Sequence, residues 1–207
     1  MVVEENRFIT QPLYDELRDG TPVTILPYNS LEETPANVVD AIYTLFNAIV
    51  EEGTTYVHEH PLTRTQFYEY YFPHFVAVMV RGTVPEQDRL RTDLDIAAGG
   101  AHELLGCFYI KPNYIGRSAH VCNAGFLVSL DHRGAGCGSV MGRNYLKWAP
   151  LLGFKSSVFN LVYETNVASC RIWDRLGFER IGRVKNAGRM KGHPDLVDAI
   201  MFGYQFS

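Results

Sequence analysis

Residues 126–139 read FLVSLDHRGAGCGS. An apolar strand pattern runs into a glycine-rich turn, and a helical pattern follows without a break. Arg133, Gly134, Ala135, Gly136, Cys137 and Gly138 form the turn, with Ser139 behind them, so that the spacing is R-x-x-G-x-G. Glycine lets backbone approach a ligand closely. The first turn of a helix offers unpaired amides at the positive end of its dipole. Together these make an anion cradle suited to a pyrophosphate, and Arg133 adds a forked charge contact.

Three phosphate loops compete for this reading. A P-loop needs G-x-x-x-x-G-K-[ST], and no lysine precedes Ser139. A dinucleotide loop needs G-x-G-x-x-G, a spacing that Gly134, Gly136 and Gly138 do not give. The third, [RQ]-x-x-G-x-[GA] after a strand, is the coenzyme A loop of the Gcn5-related N-acetyltransferases, and the turn resembles it. Residues 165–178, TNVASCRIWDRLGF, extend the likeness. Thr165 or Asn166 can cap a helix start, Ile172, Trp173 and Leu176 form its apolar stripe, and Gly177 suits its end. The segment is similar to the family's N-x-x-A-x-x-x-Y-x-x-x-G-F helix. Ser169 replaces the small alanine, and Trp173 stands where the family often has the tyrosine that protonates the departing thiolate. An indole cannot act as that acid.

Bulk properties fit one ordinary domain. The chain has 207 residues, 46% of them hydrophobic and 20% charged, enough for a substantial core. The opening MVVEENRFIT lacks the apolar stretch of a secretory leader, and no apolar run approaches membrane-spanning length. The expected compartment is the cytoplasm, with mitochondria as the alternative. Net charge is −4, but residues 1–100 hold 6 basic and 16 acidic groups and residues 101–207 hold 13 and 7. A basic half around the loop suits a polyanionic cofactor. The basic residues are dispersed, which argues against a nucleic-acid surface. Cys107, Cys122, Cys137 and Cys170 are too widely spaced for a C-x-x-C motif, as in a reduced protein. His58-Glu59-His60 has the spacing of a metal pair but no evident third ligand, so no metal is expected.

Along the chain, strands are expected at 21–28, 74–81, 103–111, 120–130, 156–163, 178–184 and 197–206. Helices are expected at 36–52, 63–72, from the glycine loop to Ala149, and after Asn166. Residues 82–100 read as a long, mobile surface loop, KPNYIGRS as a hairpin connection, Pro150 as a helix stop, and Gly125 as a bulge or close-approach position. This is the element order of the Gcn5-related fold: a single α/β (α+β) domain over 1–207, with a cofactor-binding core at about 104–204. Its mixed, mostly antiparallel sheet, flanked by helices, splays between the fourth and fifth of these strands, and those two run parallel.

Two asparagines stand inside apolar strands, Asn123 in HVCNAGFLV and Asn160 in SSVFNLVY. A buried amide without a partner costs roughly 1–3 kcal/mol, so each needs backbone, water or ligand. The strings FYIKPNY, CNAGF, YLKWAPLLGFK, FNLV, TNVAS, IWDRLGFERIG and VDAI resemble the fungal L-azetidine-2-carboxylate N-acetyltransferases. That resemblance implies acetyl-CoA as donor, a small cyclic secondary amino acid as acceptor, a role in detoxification and oxidative-stress protection, and a homodimer. It also implies Asn123 and Asn160 as catalytic and substrate-binding residues with Phe126 and Trp173 beside the substrate. Val128, Arg133 through Ser139, Asn166 and Ser169 would serve the cofactor. An amide is no base at neutral pH, so attack within a ternary complex is expected, with water carrying the proton. Glu164, Asp131, His120 and Tyr114 are the candidate ends of that water relay. Competing readings are a polyamine or protein N-terminal acceptor, and a non-catalytic acyl-CoA-binding module.

Overall fold

The computed structural model describes residues 8–206. The first seven residues of the segment read for a leader lie outside them. One eight-stranded sheet runs through the molecule in the order β1-β2-β3-β4-β5-β6-β8-β7. Its strands are β1 Leu13–Glu16, β2 Pro22–Tyr28, β3 Phe75–Arg81, β4 Leu104–Pro112, β5 Val121–Val128, β6 Ser156–Tyr163, β7 Glu179–Gly188 and β8 Val197–Gln205. Every neighbouring pair is antiparallel except β5 and β6. With β1 added to the expected strands, the parallel pair becomes the fifth and sixth.

Helices α1 Ala36–Glu52 and α2 Arg64–Tyr71 cover one face. In α1, Val38, Val39, Ile42, Leu45, Phe46, Ile49 and Val50 are buried, the i, i+3, i+4 stripe the sequence shows. Gly53 ends the helix at φ 71°, a left-handed position that favours glycine. Thr63 and Gln66 cap α2 reciprocally. Helices α3 Cys137–Leu151 and α4 Val167–Arg175 cover the other face, over Phe108, Phe159, Trp173, Tyr145 and Trp148. Between the layers β3 is buried along nearly all its length, as its unbroken apolar run requires.

Three details differ from the sequence reading, and at Gly125 one of its two alternatives holds. β1 was not expected: its LYDE carries two acids, and it forms because it pairs with β2 while Asp15 reaches α3. Residues 82–100 are anchored, with Val84, Arg89, Leu94 and Ile96 all buried and a 3-10 turn at Glu86–Asp88. Pro150 lies inside the last turn of α3 rather than beyond it; a proline there removes one hydrogen bond near a helix end that leaves backbone groups unpaired anyway. At Gly125 the β4–β5 register is continuous, so the glycine serves a close approach: a Cβ there would lie 2.6 Å from the Tyr109 ring.

Candidate active site

Strands β5 and β6 pair at only two positions, Val121 with Ser156 and Cys122 with Ser157, and then separate. The amides of Asn113 and Ser129 bond to Val121 and Leu105 across or beside β4. Strand alternation therefore turns the backbone groups of Ala124, Phe126 and Val128 toward the gap. On β6 a register shift between Phe159 and Val162, opposite β8, places Asn160 in a bulge. A bulge re-aims a side chain.

The two strand asparagines meet through a third. Asn123 Nδ2 donates to Asn113 Oδ1 at 3.1 Å, and Asn160 Nδ2 donates to the same oxygen at 2.6 Å. Asn113 Nδ2 returns a bond to Asn160 Oδ1 at 3.1 Å. Asn113 thus bridges the strands at the point where they part. The cluster keeps capacity to spare: Asn123 Oδ1 receives no donor among the described residues, and each Nδ2 holds a second hydrogen. All three residues are partly accessible.

Asn123 and Gly125 share their face of the sheet with Lys111 and Tyr109, directly opposite on β4. Tyr109 belongs to the core under α1 and α2. Its hydroxyl lies 3.1 Å from that of Tyr70, which lies 3.1 Å from that of Tyr56. The Lys111 ammonium stands over the Tyr70 and Tyr109 rings. Burial holds its pKa below the ordinary lysine value.

The glycine loop closes the other end of the gap. Gly134 and Gly136 adopt φ 83° and 101°, and Gly136 is the N-cap of α3. The amides of Gly134, Gly136, Cys137 and Gly138 have no acceptor among the described residues. A side chain at Gly138 would meet Ile172 of α4 at 2.7 Å, so glycine also lets α3 and α4 approach. The Cys137 thiol is buried, which raises its pKa. Arg133 is engaged with α1: its two terminal nitrogens each hold a Glu52 carboxylate oxygen at 2.6 Å. That hydrogen bonding lowers the Glu52 pKa. Behind the loop, Glu103 receives Arg81 at 3.2 Å and lies 3.4 Å from His132 Nε2, which steadies the turn leading into it.

On α4, Asn166 is the N-cap and accepts from the Ser169 amide at 3.1 Å. The Trp173 indole donates to Ser169 Oγ at 2.9 Å. Phe126 and Trp173 pack on each other and on Phe159, on the α3/α4 side of the sheet. Strand alternation sets them on the face opposite Asn123 and Gly125. Among the relay candidates, Glu164 is ion-paired with Arg183, while Tyr114, His120 and Asp131 are exposed. Among the described residues no group of three His, Cys, Asp or Glu side chains is placed to hold a metal ion. Among the described residues no helix is long and apolar enough to cross a membrane.

The arrangement can hold an extended phosphorylated thioester. The gap offers an unpaired strand edge, the loop offers free amides beside a helix N-terminus, and the residues present fit acetyl-CoA. Acetyl-CoA supplies the activated acyl group. Free N–H groups along β5 would be the donors to polarise its carbonyl. The amide cluster provides donors and one open acceptor for a polar small molecule. Sequence reasoning missed Asn113, Lys111 and Glu52. Asn113 hid in a hairpin string, and the other two show their partners only once the β4–β5 register and the packing of α1 are known.

Residues 46–178 match the family described as Acetyltransferase (GNAT) family. The N-acetyltransferase aca1 of Schizosaccharomyces pombe is 45% identical over 163 residues, 77% of this chain and 76% of that protein. Protein SPT10 of Saccharomyces cerevisiae is 32% identical over 230 residues, which take in 95% of this chain but only 36% of SPT10. Among solved structures, a GCN5-related N-acetyltransferase from Kribbella flavida aligns at TM-score 0.70 and 26% identity, covering 87% of this chain and 97% of its own. The yncA protein of Salmonella typhimurium, solved with its cofactor acetyl-CoA, shares the fold at TM-score 0.65 and 14% identity, covering 88% and 94%.

Proposed function

The chain belongs to the GNAT acetyltransferase family and is an acetyl-CoA-dependent N-acetyltransferase; from that premise we propose that its acceptor is a small cyclic secondary amino acid. L-azetidine-2-carboxylate and related proline analogues, or intermediates of proline metabolism, are the compounds meant. The observation that carries this reading is the meeting of Asn113, Asn123 and Asn160 where β5 and β6 part. A ring amino acid brings a carboxylate that needs donors and an amine that needs an acceptor, and the cluster has spare capacity for both.

In this reading Asn123 and Asn160 fix the carboxylate and orient the ring, a proximity effect. The cofactor lies along Val128, the loop from Arg133 to Ser139, and the start of α4 at Asn166 and Ser169. Phe126 and Trp173 shape the far wall. A ring amine has a pKa on the order of 10, like lysine, and loses its proton to water before attacking. Detoxification and oxidative-stress protection, a homodimer and a cytoplasmic location follow from the same reading, supported by the likeness in the CNAGF, FNLV and TNVAS strings.

The test is product identification by mass spectrometry after incubation with acetyl-CoA and a mixture of azetidine-2-carboxylate, proline, cis-4-hydroxyproline, spermidine and a peptide amine. N-acetylazetidine-2-carboxylate as the main product supports the reading. Acetylspermidine or acetylated peptide in its place would move the acceptor to another class.

A further inference from the structure

The face that carries the amide cluster also carries a cation without an anion. Lys111 Nζ lies 4.3 Å from the Tyr70 ring centroid and 4.6 Å from that of Tyr109. Lys111 sits directly opposite Asn123 in the β4–β5 register, so both side chains leave the same face. Among the described residues no carboxylate pairs with it, although arginines throughout the molecule have carboxylate partners. The tyrosine hydroxyls beside it bond to one another instead. Burial first, and then the charge on Lys111, lowers the pKa of His58 and of His74. Lys111 is thus a positive charge beside the amide cluster whose near neighbours are ring faces rather than carboxylates among the described residues.

Two ring faces attract an ammonium without neutralising it. A half-buried cation left in that state is matched best by an anion brought from solution. We propose that Lys111 is the counter-charge for the acceptor's carboxylate, and so the residue that selects amino acids over amines lacking a carboxylate. The inference rests on the acceptor reading above. With the carboxylate against Lys111 and the cluster's N–H groups, the unpaired Asn123 Oδ1 is left to receive the ring N–H. The same charge disfavours polyamines by repulsion.

The experiment compares steady-state kinetics of wild type, Lys111→Met and Lys111→Arg on azetidine-2-carboxylate and on azetidine, the same ring without the carboxylate. Methionine keeps an apolar stem on the tyrosine rings and removes only the charge, and acetyl-CoA affinity reports on folding. The expected result for Lys111→Met is a KM for azetidine-2-carboxylate raised roughly 10- to 100-fold, the worth of a hydrogen bond to a charged group. Its kcat should change little, its kcat/KM on azetidine should be unchanged or higher, and Lys111→Arg should recover most of the loss. Equal losses on both amines, or a fall in kcat at constant KM, would overturn the counter-charge role and leave the acceptor reading standing. A wild type inactive on every carboxylate-bearing ring amine would overturn the acceptor reading and this inference with it.

Discussion

Asn113 accepts from both Asn123 and Asn160, so its removal frees two amides at once. Asn113→Ala should therefore lower turnover about as much as Asn160→Ala, for which a loss of roughly 10²–10³ in kcat is expected if the amide acts on the transition state. A rise in KM alone would make Asn160 a uniform binding contact. Arg133 and Glu52 give a second residue-scale prediction, because a phosphate on the loop must share or displace their pairing. Arg133→Ala should raise the KM for acetyl-CoA with acceptor preference unchanged. Glu52→Gln should lower it, by about twofold to fivefold for a part-exposed ion pair. At this scale the sequence was partly legible. Asn123 and Asn160 stand out because amides are costly in apolar strands. Asn113 does not, because a polar residue in a hairpin needs no explanation.

Among the elements, β5 works through what it omits. Gly125 leaves room for Tyr109, whose hydroxyl bonds that of Tyr70 and whose ring faces the Lys111 ammonium. Gly125→Ala forces a Cβ to within 2.6 Å of that ring. It should displace Tyr109 and cost roughly 1–3 kcal/mol by overpacking, read as a lowered urea midpoint. Glycine does the same on α3, where a Cβ at Gly142 would lie 2.5 Å from Leu176, the C-cap of α4. The extents of α1 and β6 could be read directly, α1 from a long amphipathic stripe closed by glycine and β6 from a run too short for a helix and rich in β-branched and aromatic residues. β1 could not, because four residues carry too little pattern and the strand depends on partners distant in sequence.

Over the whole molecule, the opposed charges of the two halves do not form two separate fields. Arg133 pairs with Glu52 and Arg143 with Asp15, so part of the excess of each half is spent on the other. The sequence count pointed to a basic cofactor side, but pairing across the fold is invisible to a count. Asp15 joins β1 to Arg143 and to buried Asn144. The hydrogen bond from Arg143 is the main cause that lowers its pKa from 3.8 to about 2. Because the folded value is the lower one, this contribution is complete above the unfolded value and is lost as pH falls through about 2. Solvent screening of a part-exposed pair holds it to about 1–2 kcal/mol. Asp15→Asn should be less stable than wild type by about that much at neutral pH, with the gap closing in strong acid, as measured by urea unfolding across pH.

The measurement that bears most directly on the account is thiol release from acetyl-CoA by wild type and Asn113→Ala, with azetidine-2-carboxylate or spermidine as acceptor. Wild type should release thiol rapidly on azetidine-2-carboxylate and little on spermidine. The variant should lose about 100-fold or more, with acetyl-CoA still bound equally well. A wild type silent on azetidine-2-carboxylate, or a variant as fast as wild type, would contradict it.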